Sequence, residues 1–106
     1  MWWLAISLAH AQDPAIGVLK VCVVDDEMEL PIAAVTLAFT GPVGEASTTT
    51  TDPGGCALTV AHAGTWRVVA QKEGFFGVTV EGIAVLPARS TLQPIRLRPS
   101  AGECFG

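Results

Sequence analysis

The sequence predicts an all-β fold, a seven-stranded antiparallel sandwich, and three observations predict it. From residue 17 onward, apolar residues recur with period two in short runs. Turn-forming groups separate those runs: Gly41-Pro42, Asp52-Pro53-Gly54-Gly55, Ala63-Gly64, Lys72-Glu73-Gly74 and Pro87. No stretch shows helical periodicity, and 106 residues give room for one domain with one modest core.

The elements follow in chain order. Val18 to Val24 is rich in β-branched residues and ends at the acidic turn Asp25-Asp26-Glu27. Ala33 to Thr40 places Ala33, Val35, Leu37 and Phe39 on one face, and Gly41-Pro42 stops it. Glu45 to Thr51 is polar and threonine-rich, the composition of an exposed edge strand. After the Asp52–Gly55 turn, Cys56, Leu58 and Val60 alternate, and are expected to point inward. Trp66, Val68 and Ala70 alternate in the next strand, with Arg67, Val69 and Gln71 on the opposite face. Phe75 to Val85 carries Val78, Val80, Ile83 and Val85, and Gly77 and Gly82 suggest a bend or bulge. Ser90 to Arg98 alternates Ile95 and Leu97 with Arg96 and Arg98, and Pro94 confines its own position to one where no amide is needed.

Composition excludes whole classes of function. Half the residues are hydrophobic and 15% are charged, so the chain is not a disordered one. Six basic against ten acidic residues give a net charge of −4, the wrong sign for neutralising phosphates, and nucleic acid is excluded as a partner. With no Tyr and two His, few side chains are available as general acid, base or metal ligand. The sequence therefore predicts no cofactor and no metal, and the acidic cluster Asp25-Asp26-Glu27 with Glu29 reads as a solvated turn in preference to a calcium site.

Residues 1–11 read as a signal-peptide remnant. They are uncharged, far shorter than the roughly 20 residues of a membrane-spanning helix, and end in Ala9-His10-Ala11 ahead of Gln12, a small-x-small cleavage pattern. A basic start is missing, which leaves an atypical leader or a late start codon. The expected organisation is a domain over 17–98 and a tail over 99–106, with no membrane span after the leader. The compartment is secreted, periplasmic or cell envelope. There, Cys22, Cys56 and Cys104 can form one disulfide. If Cys56 points inward and Cys22 outward, those two do not pair, and the pairing among the three is open.

Three motifs carry a resemblance. Glu29-Leu30-Pro31-Ile32-Ala33-Ala34-Val35-Thr36-Leu37 is similar to Pro-Leu-Pro-Gly-Ala-x-Val-x-Leu. Thr51-Asp52-Pro53-Gly54-Gly55-Cys56-Ala57-Leu58 is similar to Thr-Asp-x-x-Gly-x-Phe-x-Leu read with one shift, which sets Cys56 at the aromatic position. Gly64-Thr65-Trp66-Arg67-Val68, followed by Lys72-Glu73-Gly74-Phe75, is similar to Gly-x-Tyr-x-Val followed by x-x-Gly-Tyr. In this order they resemble the carboxypeptidase regulatory-like domains. That resemblance implies a transthyretin-like (prealbumin-like) Greek-key sandwich, with Trp66 in the core. Gly54 and Gly55 are expected to supply positive φ, and Asp52 to bind its own turn amides.

Neither the enzymes of related architecture nor the metallocarboxypeptidases to which such domains are often attached fit the residues. Hydroxyisourate hydrolases end in Tyr-Arg-Gly-Ser, intradiol dioxygenases hold iron with Tyr and His, and metallocarboxypeptidases need His-x-x-Glu; this sequence has none of these. A cysteine nucleophile would need an activating His, and His62 sits beside a turn glycine. The reading is thus a non-catalytic module that binds an envelope or extracellular protein, with Thr48 and Thr50 on its edge strand as candidate contacts. The alternative is carbohydrate binding, for which Phe76 is the candidate exposed ring and a polysaccharide the partner.

Overall fold

The computed structural model describes residues 15–100. The expected signal-peptide remnant over 1–11 and Cys104 lie outside them. Seven strands form: β1 (Ile16–Asp25), β2 (Thr36–Thr40), β3 (Ala46–Thr50), β4 (Cys56–His62), β5 (Gly64–Gln71), β6 (Val78–Val85) and β7 (Ser90–Leu97). They lie in two sheets, one ordered β4-β1-β7 and one ordered β3-β2-β5-β6. The antiparallel expectation holds for every pairing but one, since β7 runs parallel to β1. The described residues include no helix long and apolar enough to cross a membrane.

The core lies between the sheets. Leu19, Val21 and Val23 of β1 face Leu37 and Phe39 of β2 and Trp66, Val68 and Ala70 of β5, all essentially buried. Period-two alternation in each strand sets this up, because successive side chains point to opposite faces. Trp66 is in the core as the motif implied; its Nε1–H donates to the His62 carbonyl at 2.8 Å, which satisfies the one polar atom that burial would strand. In β6 the inward set jumps from Val78 and Val80 to Ile83 and Val85. Trp66 pairs with Ile83 and Val68 with Val80, so Glu81 and Gly82 form a bulge opposite Arg67, with Gly82 at φ 74°. Pro94 sits in β7 where its nitrogen faces away from β1: Val18 N–H donates to the Arg89 carbonyl and Asp26 N–H to that of Leu97, which assigns the odd-numbered residues to the ladder.

Four expectations are corrected. β2 starts at Thr36, not Ala33, because Ala34 adopts φ 61° and breaks the extended run; Ala33 and Ala34 are exposed. Thr51 does not continue the exposed edge strand but is buried. Of Gly54 and Gly55 only Gly55 has positive φ, at 83°, although Asp52 Oδ1 does accept from the amides of Gly54 and Cys56. The fourth correction is the largest. In β4, Cys56, Leu58 and Val60 point outward, and Ala57, Thr59 and Ala61 point inward.

Pairing with β1 forces that inversion. The register sets Ala57 beside Val21, Thr59 beside Leu19 and Ala61 beside Gly17, and cross-strand partners share a face. Cys56 is thereby paired with Cys22 on the outer face, and the two form a disulfide. Val23 N–H donates to the Gly55 carbonyl, which makes 22/56 a non-hydrogen-bonded pair, the site in an antiparallel ladder where side chains come closest. The expectation that these two cysteines do not pair is overturned.

Candidate functional site

One side of the sandwich is open. The sheet that carries β3 has four strands and the opposing sheet three, so β3 is an edge strand that no strand of the other sheet covers. All five of its residues are exposed, including Ser47 and Thr49, which share the inner face with Phe39 and Leu37. The Gly41 amide donates to the Glu45 carbonyl at 2.8 Å and the Thr51 amide to that of Val35 at 3.0 Å. Those bonds fix the alternation of the ladder, and the amides and carbonyls of Ala46, Thr48 and Thr50 point away from β2, along the free edge. The charged residues and prolines that commonly blunt an edge are absent from this strand.

Beside β3 lies a cleft of about 280 Å³, lined by Ile16, Glu45, Ala46, Ser47, Thr59, Val60, Ala61, His62 and Trp66. The inward residues of β4 that line it are small: Thr59 and Ala61 leave volume that a larger side chain would fill. At its mouth His62 Nδ1 lies 3.1 Å from Glu45 Oε2, joining the end of β4 to the residue that precedes β3 and so tying the two sheets together. Glu45 Oε1 accepts from the Val43 amide at 2.9 Å. The bond to His62, and then those to the backbone of Glu45 and Val43, hold the Glu45 carboxyl below its ordinary range.

A carboxylate bonded to imidazole Nδ1 is the orienting half of a nucleophilic triad. Ser47 and Thr59 share the cleft, but neither hydroxyl is bonded to His62, and the nucleophile–base contact that such chemistry requires is not made. The contact that the pair does make joins the end of β4 to the entry of β3, the place of a latch between the sheets. Because the folded-state pKa of Glu45 is depressed, its contribution to stability is present above pH about 4.5 and is lost as pH falls through the lower folded value. Glu45→Gln should therefore flatten the acid limb of a plot of thermal midpoint against pH while leaving its fall at alkaline pH unchanged. An unaltered acid limb would show that the latch contributes nothing.

The residues singled out in the sequence are separated. Thr48 and Thr50 carry free edge groups of β3 and project from the outer face of their sheet. Phe76 lies in the loop between β5 and β6, its amide donating to the Arg98 carbonyl at 2.9 Å and its ring 56% exposed. Neither the threonines nor Phe76 line the cleft, so the structure does not assemble them into one pocket. Glu45 and the buried Thr51 were missed, since a polar residue in a threonine-rich run gives no period-two signal, and His62, weighed only as an activator for a cysteine, was not paired with Glu45. In the acidic turn, Asp25 Oδ1 accepts from the amides of Glu27 and Met28, while Arg96 approaches Asp26 at 3.6 Å and Glu29 at 3.3 Å. That is a self-satisfied turn. Among the described residues, no group of three or more His, Cys, Asp or Glu is placed to hold a metal ion.

The chain matches no family model and no curated protein. It is similar in fold to several solved structures. One is the hydroxyquinol 1,2-dioxygenase of Pseudomonas putida DLL-E4, with TM-score 0.70 and 9% identity over 84% of this chain and 58% of that one. Another is the TIE protein of Bacillus anthracis, with TM-score 0.66 and 14% identity over 80% and 17%. A third is GBS52, the minor pilin of Streptococcus agalactiae, with TM-score 0.64 and 14% identity over 81% and 45%. At these identities the likeness shows the fold alone, an all-β sandwich. The chain spans between 17% and 62% of the length of five solved structures that it resembles, these three included.

Proposed function

We propose that the chain is a non-catalytic module of the cell envelope or extracellular space that recognises a protein partner by accepting an extended segment along β3. The observation that carries this is the free edge itself: the amides and carbonyls of Ala46, Thr48 and Thr50, all unpaired among the described residues, form the hydrogen-bonding template that strand addition uses. The Cys22–Cys56 disulfide favours an oxidising compartment. The pilin likenesses favour a surface protein, and the three sequence motifs favour a carboxypeptidase regulatory-like domain. The dioxygenase likenesses carry over no chemistry.

A photo-reactive residue at position 48 tests the reading. In an envelope fraction of the source organism it should give an adduct of one defined mass, and the same group at Thr79 on β6 should not. Thr48→Pro removes the free amide without touching the bonds to β2 and should abolish the adduct. Equal adducts at both positions, or none, would sink this reading. Retardation by a soluble polysaccharide that Phe76→Ala abolishes would favour carbohydrate binding in its place.

A further inference from the structure

The outer face of the three-stranded sheet carries the side chains that an exposed sheet surface ordinarily lacks. β4 turns its small residues inward and its large ones out, with Leu58 66% and Val60 70% exposed. The registers continue this pattern across the sheet. Val60 lies beside Val18, Leu58 and Leu92 flank Lys20 on either side, and the Cys22–Cys56 disulfide lies beside Pro94. Leu92 is 62% exposed, and Ile16 extends the patch at its end. Scattered apolar residues are normal on a surface, but three adjacent rows on one sheet are the mark of a docking face.

The centre of that face holds a cation. Lys20 takes part in none of the ion pairs among the described residues, whereas Arg67 and Arg96 each lie near carboxylates. We infer that this face docks a partner protein surface of apolar side chains set around one carboxylate that meets Lys20. Charge complementarity selects that occupant. A second copy stacked on the face across a two-fold axis would bring Lys20 against Lys20. A lipid surface would meet one unpaired lysine on a chain of net charge −4, well short of the basic cluster that anionic headgroups recruit. The face belongs to the other sheet from the β3 edge, so this inference goes beyond the proposed function and fails or stands separately from it.

Two short designed amphipathic helices test it, identical except for the residue at the centre of the leucine face, Glu in one and Lys in the other. Binding to the full chain is followed by fluorescence anisotropy. The Glu peptide should bind about tenfold more tightly than the Lys peptide, and Lys20→Glu should reverse that order. Joint replacement Leu58→Ser and Leu92→Ser should weaken both peptides about tenfold or more with little change in thermal midpoint, and Phe76→Ser should weaken neither. Equal binding of the two peptides, no reversal by Lys20→Glu, or a loss with Phe76→Ser would overturn the inference. Two further results would overturn it by naming another occupant. One is association with phosphatidylcholine–phosphatidylglycerol vesicles that the paired leucine replacement abolishes; the other is a concentration-dependent dimer in sedimentation that the same replacement dissolves.

Discussion

Replacing Cys22 and Cys56 together by alanine is expected to destabilise the domain by about 4 kcal/mol. The disulfide closes a loop of sequence separation 34, and forbidding the open conformations of a loop that long removes unfolded-state entropy worth about 4 kcal/mol at 25 °C. In a domain of this size each kcal/mol moves the thermal midpoint by roughly 4–8 °C, so the midpoint should fall by about 15 °C or more. The side chains themselves add little, because both are only partly buried on the outer face. A reducing agent should bring the unreplaced protein down to the level of the double variant and leave the double variant where it is. A shift below about 1 kcal/mol would mean that the unfolded chain already keeps β1 and β4 together without the bond.

That bond shows where the sequence was legible and where it was not. The placing of Trp66 follows from the resemblance, and the strand count, the positions of the turns, the bulge at Gly82 and the placing of Pro94 follow from local chemistry, which a single sequence displays. The parity of β4 does not. Cys56-Ala57-Leu58-Thr59-Val60-Ala61 alternates large with small, and on hydrophobicity alone the large set belongs inside. Pairing with β1 decides otherwise, and because side chains repeat every two residues, a one-residue error inverts the whole strand. The motif held the remedy. Read without a shift, Thr-Asp-x-x-Gly-x-Phe-x-Leu places Ala57 at the aromatic position and Thr59 at the leucine, and both point inward. The small inward residues Thr59 and Ala61 open the cleft, and the displaced Leu58 and Val60 make the outer face apolar. The cleft, the disulfide and the docking face thus share one cause, the parity of β4.

Thr51→Val is expected to cost about 2–3 kcal/mol, although the two side chains have nearly the same shape. Thr51 is 5% exposed and is the one buried polar residue among those described. Its hydroxyl donates to the Ile32 carbonyl at 2.7 Å and accepts from the Val35 amide at 3.0 Å, while its backbone binds Ala34 and Val35. The segment 32–35 needs this help because it passes through Ala34 at φ 61° and cannot make regular ladder bonds there. Valine would leave a buried carbonyl and a buried amide without partners, each costing roughly 1–3 kcal/mol with partial relief by relaxation. Thr51→Ser keeps both bonds and loses one methyl group, so it should cost only about 1 kcal/mol. Urea unfolding of the three proteins separates the explanations. If serine is as damaging as valine, packing of the methyl dominates; if valine is harmless, the hydroxyl does not organise the entry to β2.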